Sequence, residues 1–195
     1  GITVRYDASF ELRNSVIAHN RAKWDGGGIE IVESTASVRY SQIYANSNQG
    51  AGGGVHISDQ STATVEGNRI WENVTTGWAG GGVFVGSGSS ATISANEILS
   101  NTALSGAGGG IRVADNETQA EITGNDIEGN RAKGGGGIEV STFATATIDR
   151  NVIIRNLSGE WNDGGLTLYE HATATISKNT IAYNTTQDQR GTSAI

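Results

Sequence analysis

Glu30, His56, Arg112 and Glu139 fall at separations of 26, 56 and 27 residues, which is one, two and one periods of a repeat that runs through the whole chain. A fold that stacks equivalent positions would set Glu30 beside His56 and Arg112 beside Glu139. The first pair has the chemistry of a general acid and base, and the second could clamp a charged substrate. The weightier reading of the same four is a solvated strand face with cross-coil ion pairs, each worth about 0.2–1 kcal/mol. They are therefore candidates, and no catalytic residue is assigned. His19 and His171 are isolated, at a strand end and in a turn.

A second set is aromatic. Trp24, Trp78 and Trp161 each stand four residues before a recurring glycine, at Gly28, Gly82 and Gly165, so they share one edge of the stack. Aromatic faces at this spacing can stack on pyranose rings, which makes the three the candidate ligand-binding residues. The competing use is to fold over a glycine-rich loop and cover the edge of the core. Tyr44, Trp71 and Leu99 form a further outward apolar row. Asp25 and Asp163 precede glycine runs, but two carboxylates fall short of the six to eight oxygens of a calcium cage. With no cysteine present, no thiolate site exists either, and neither a metal nor a cofactor is expected.

Positioning these residues falls to the repeat. Gly-Gly-Gly followed by an aliphatic residue precedes Ile29, Val55, Val83, Ile111 and Ile138, and Gly-Gly precedes Leu166. The last glycines, Gly28, Gly54, Gly82, Gly110, Gly137 and Gly165, are spaced by 26, 28, 28, 27 and 28 residues. Gly1 and Gly191 fall on the same phase. A mid-coil pattern, clearest from Ala91 to Asn101, ends in an asparagine in every copy: Asn20, Asn46, Asn73, Asn101, Asn130, Asn156 and Asn184. Five residues before each stands Ser or Asn, at Ser15, Ser41, Asn68, Asn96, Asn125, Asn151 and Asn179. Stacked amides can donate to the copy on one side and accept from the other, so these columns read as structural ladders.

Within one coil Val83-Phe84-Val85 alternates as a strand does, and Gly86 to Ser89 has turn chemistry. Ala91-Thr92-Ile93 alternates again. Asn96 marks a tight turn, since Asn tolerates the left-handed conformation. Ile98 lies in a third strand, and residues 102–109 form a variable loop. The expected fold is all-β: a right-handed single-stranded parallel β-helix of about seven coils with three short strands per coil, the hand following from the preference of parallel crossovers. Stacked about 4.8 Å apart, the coils would form inward columns such as Ile29, Val55, Val83, Ile111 and Ile138.

The G-G-G-I and I-x-x-N motifs resemble the right-handed parallel β-helix repeat of bacterial secreted proteins. They are also similar to the paired G-G-A-I and F-x-x-N motifs of polymorphic outer-membrane autotransporter passengers, with Ile in place of Phe and Gly usually in place of Ala. The resemblance covers the whole chain and implies a fold more than a function, because the wider fold includes pectate lyases, polygalacturonases, alginate lyases and epimerases, phage tailspikes and adhesins. The polygalacturonase signatures N-T-D, D-D, G-H-G and R-I-K are absent from this sequence. An outward Thr and Ser array around Thr64, Thr92 and Thr147 resembles the flat arrays of ice-binding solenoids, but Gln119 and Glu121 interrupt it.

Composition narrows the partners. Among 195 residues there are 29 Gly, no Pro, no Cys and no Met, and the net charge is −7. Lys and Arg are scattered along the sequence without a stripe, so nucleic acid is not an expected partner. No run approaches the ~18 apolar residues of a membrane span. Residues 1–195 are expected to form one domain, a segment of a longer solenoid without caps. The expected role is a structural or adhesion-type module, secreted or on the bacterial cell surface, that binds polysaccharide or a host or cell-surface glycan, or stacks end to end with itself. The alternative is a polysaccharide-active lyase, epimerase or glycosidase.

Overall fold

The computed structural model describes residues 1–159 and 163–187. Four parallel sheets run along the solenoid, and each strand pairs with its equivalents in the coils on either side. The first sheet holds Ile2–Val4, Ile29–Val32, Val55–Ser58, Val83–Val85, Ile111–Val113, Ile138–Val140 and Leu166–Leu168. The second is built from five-residue strands such as Ser90–Ser94, and the third from three-residue strands such as Glu97–Leu99. These are the three strands per coil read from the sequence. The segment expected to be a loop contributes a fourth, six-stranded sheet, including Ser47–Asn48, Val74–Thr75, Thr102–Ala107 and Arg131–Gly134. Its strands carry no apolar alternation, because their inward residues are Asn48, Thr75, Ala103, Ala132 and Ser158.

Register puts like on like. Ile29 pairs with Val55, Val55 with Val83, Val83 with Ile111, and Ile111 with Ile138. Ile43, Ile70, Ile98, Ile127 and Ile153 form another inward column, each fully buried. Burial of a branched side chain contributes roughly 1.5–3 kcal/mol, and a coil gains it only where neighbours cover both sides. On the last described coil Ile176 and Ile181 are 44% and 46% exposed. A column of alanines, Ala36, Ala63, Ala91, Ala120 and Ala146, runs along the inner face of the second sheet and packs into the core.

Two asparagine ladders close two of the corners. Asn101 Nδ2 donates to Asn130 Oδ1 at 3.0 Å and to the Ile70 carbonyl at 2.9 Å, while its backbone N–H also donates to Asn130 Oδ1. Asn96 repeats the pattern with Asn125 and Val65. The turn geometry differs from expectation in one respect. The left-handed residue is the one before each asparagine, Ala95 at φ 54° and Ser100 at φ 54°, and not the asparagine itself. The asparagine's part is played by its side chain, which satisfies a backbone carbonyl one coil away.

The glycine triplets owe their composition to close backbone approach. A Cβ on Gly81 would lie 2.5 Å from the Gly109 carbonyl oxygen, and one on Gly82 would lie 2.6 Å from that of Gly110. The first glycine of the triplet also reverses the chain. Gly80 takes φ +65°, and a Cβ there would lie 2.8 Å from Phe84 Cβ. This left-handed turn folds the chain back over the outward side chain four residues on.

Candidate functional site

The outward column of the first sheet runs Thr3, Glu30, His56, Phe84, Arg112, Glu139, Thr167, each paired with the next. Sequence reasoning placed Glu30, His56, Arg112 and Glu139 there correctly but expected a solvated strand face. The structure corrects this: Glu30, His56 and Glu139 are only 7%, 6% and 2% exposed. Burial follows from the turn just described, since Gly26, Gly52 and Gly135 sit against the Cβ atoms of Glu30, His56 and Glu139. A triplet whose first glycine stands four residues ahead of each of these side chains was the sequence signal for this cover.

Arg5 closes the outer side of the column. Its Nη2 donates to Glu30 Oε1 at 2.6 Å. That hydrogen bond and the carboxylate's charge raise the Arg5 pKa above its ordinary value. His56 stacks on Phe84 with ring centroids 5.1 Å apart. Its Nδ1 is buried with no hydrogen-bond partner, so the expected acid–base pair with Glu30 is not made through that nitrogen. Burial pushes the His56 pKa below its ordinary value, against the opposing charges of Asp25, Glu30 and Asp59 and with a small further push from Arg5.

The second expected pair does form. Arg112 Nε lies 3.4 Å from Glu139 Oε1, in ion-pair rather than hydrogen-bond geometry. Its Nη1 donates to the Trp78 carbonyl at 3.0 Å and its Nη2 reaches Ser141 Oγ at 3.3 Å. Arg112 thus joins the buried column to the loop that carries Trp78. With its guanidinium engaged on three sides, it holds protein rather than facing a substrate.

The indoles are the open part of this edge. Trp24 is 68% and Trp78 79% exposed. They occupy one position of alternate coils, because Gly50 N–H donates to the Trp24 carbonyl and Trp78 N–H to the Gly50 carbonyl. Two coil steps set them roughly 9.6 Å apart along the axis. The position alternates Trp24, Gly50, Trp78, Gly106. A Cβ on Gly50 would collide with Asp25 Oδ1, and one on Gly106 with the Trp78 carbonyl oxygen. No side chain can therefore fill the gap beside either indole. Lys23 Nζ lies 4.9 Å from the Trp24 ring centroid. The third expected member, Trp161, lies outside the described residues.

Comparison with known families settles what kind of chain presents this edge. The description "right handed beta helix region" matches residues 1–153. The chain belongs to the right-handed β-helix family. A search of curated proteins and one of solved structures each gave no match. Tyr44 and Trp71 stack on each other at 4.2 Å, half-buried, with Arg69 over the indole. The Thr and Ser rows of the second sheet line a shallow polar groove with Gln119 and Glu121 among them. No cluster of three or more His, Asp or Glu side chains able to hold a metal occurs among the described residues. No helix among them is long and apolar enough to cross a membrane.

Proposed function

We propose that this β-helix is a non-catalytic module of a secreted or cell-surface bacterial protein and that it binds polysaccharide through Trp24 and Trp78. The observation carrying this reading is the pair of indoles held open on one edge, with Gly50 between them and Arg112 fixing the Trp78 loop from below. Indole faces offer large apolar area at little cost in conformational freedom, and a rigid ladder sets their separation before any ligand arrives. The enzyme alternative draws less support from the same edge: Glu30 and His56 lie under the glycine turn, and Arg112 is bound to Trp78, Ser141 and Glu139.

Binding to immobilised plant and microbial polysaccharides, followed by isothermal titration with the best ligand, tests the reading. Replacing both indoles (Trp24→Ala with Trp78→Ala) is expected to weaken binding by about a hundredfold, two stacking contacts of about 1.4 kcal/mol each. The melting temperature should stay unchanged, since both side chains are exposed. Undiminished affinity in the double variant would overturn the assignment. So would shortened or unsaturated sugar released by the wild type but not by His56→Ala.

A further inference from the structure

The backbone that separates the two indoles is also the cover of a buried histidine. Gly50 donates its N–H to the Trp24 carbonyl and accepts at its own carbonyl from the Trp78 N–H. Ala51 donates its N–H to Asp25 Oδ1 at 2.6 Å and accepts from the Gly26 N–H and from Asn48 Nδ2. Gly52 donates to the Ala79 carbonyl. It turns at φ +67° over His56, where a Cβ on Gly52 would lie 2.7 Å from the Cα and Cβ of the histidine. Residues 50–52 thus form one rung. Its last residue covers the imidazole, and its first joins Trp24 to Trp78.

That cover suits only a neutral ring. His56 is buried, and its Nδ1 has no hydrogen-bond partner. A second proton puts an N–H on both ring nitrogens, and a charge enclosed without an acceptor is far costlier than a neutral ring. Phe84, stacked on one face, brings no charge. The charged groups that face the ring are Asp25, Glu30, Asp59 and Arg5. Glu30 is held by Arg5 at 2.6 Å, and Asp59 stands exposed on the turn after the strand. Asp25 is left, and its Oδ1 is the acceptor that holds Ala51. A protonated His56 is therefore accommodated in two ways: the Gly52 turn lifts and admits water, or Asp25 leaves Ala51 for the imidazolium. Both release the rung.

We propose that residues 50–52 are a proton-operated clasp: one proton taken up by His56 frees the rung and unsets the Trp24–Trp78 edge. This rests on the reading of that edge as the binding edge and adds what makes it let go. Burial holds the His56 pKa below its ordinary value of 6.5, so the clasp is closed near neutral pH. Closed, it fixes the separation of the indoles before a ligand arrives. Below that pH each further unit of acidity favours the open rung by up to about tenfold, as linkage to one proton requires. Ligand is held near neutrality and released in acid.

Two measurements between about pH 7.5 and pH 5 test the clasp. The first is hydrogen exchange of the ligand-free protein, corrected for the intrinsic rate. The Ala51, Gly52 and Trp78 amides should lose protection by up to about tenfold per pH unit below 6.5 and stay less protected than Gln119–Thr123 throughout. The second is affinity for the tightest-binding polysaccharide. It should fall by about tenfold or more, the loss expected once about nine-tenths of the molecules are open. His56→Phe keeps an aromatic ring on Phe84 but cannot titrate, so its affinity should hold within about twofold over the same range. Asp25→Asn keeps an acceptor for Ala51 and removes a charge that favours the imidazolium, so it should move the transition to lower pH. That shift decides the question if His56→Phe does not fold. Amide protection that ignores pH, or that matches Gln119–Thr123 step for step, overturns the clasp and leaves the polysaccharide reading standing. Equal acid loss of affinity in the wild type and His56→Phe does the same. Binding of no polysaccharide at neutral pH overturns the reading of the edge, while the amide protection still decides the clasp.

Discussion

His56 shows how a residue suited to chemistry can be held for another purpose. It is a neutral ring stacked on Phe84, with Nδ1 unpartnered beneath a glycine turn. Burial lowers its pKa below the ordinary value of 6.5. Above that value neither the folded nor the unfolded chain carries a proton on this ring. As the pH drops through it, the unfolded chain takes up a proton that folded His56 refuses. The stability His56 contributes is therefore present above pH 6.5 and is lost as pH falls toward the lower folded-state value. Melting curves between about pH 7.5 and pH 5 should show the wild type losing stability more steeply than His56→Gln. Parallel curves would mean that His56 exchanges protons as freely folded as unfolded. At this scale the residue's place was legible in the sequence, because a fixed repeat carries Glu30, His56 and Arg112 to one column. Its burial had a fainter signal, the triplet glycine four residues ahead, because the cover is a backbone turn at Gly52 and no side chain marks its path.

Elements here are ladders as much as strands. Asn101 accepts from the Asn73 N–H and Nδ2 and donates to Asn130 and Ile70. Asn184 accepts from Asn156 and donates to the Ile153 carbonyl, and no hydrogen bond joins it to an asparagine beyond it among the described residues. Leaving a buried polar group unpaired costs about 1–3 kcal/mol. Asn101→Ala strands groups on both sides and should lower the melting temperature by on the order of 10 °C. Asn184→Ala should lower it by well under half as much, and equal losses in thermal melts would count against a ladder that transmits along its length. These columns were readable because an amide ladder needs the same residue in every copy. The fourth sheet was not, because its strands are as short as Ser47–Asn48 and turn small or polar residues inward. The left-handed positions were equally hidden, since Tyr40, Ala45, Glu72 and Arg150 all adopt that conformation with no common side chain.

The whole molecule is a one-dimensional stack whose stability is a sum over coil contacts. Ile93, Ile98 and Ile122 are sealed by neighbours on both sides, whereas Ile176 and Ile181 are not sealed by the described residues. Native-state hydrogen exchange of this chain should therefore be slowest in Ser90–Ser94 and Gln119–Thr123 and fastest in Ile2–Val4 and Thr173–Ser177. Uniform protection from end to end would mean that the stack melts as one unit. The alternation Trp24, Gly50, Trp78, Gly106 carries a related consequence. Because each coil adds one fixed increment, the distance between the two indoles can change only in whole rungs. Duplicating or deleting one coil between them would lengthen or shorten the gap by a set amount and leave every other contact as it was. The solenoid is a ruler, and a lineage could match it to polymers of different repeat length by gaining and losing rungs rather than by redesigning a pocket.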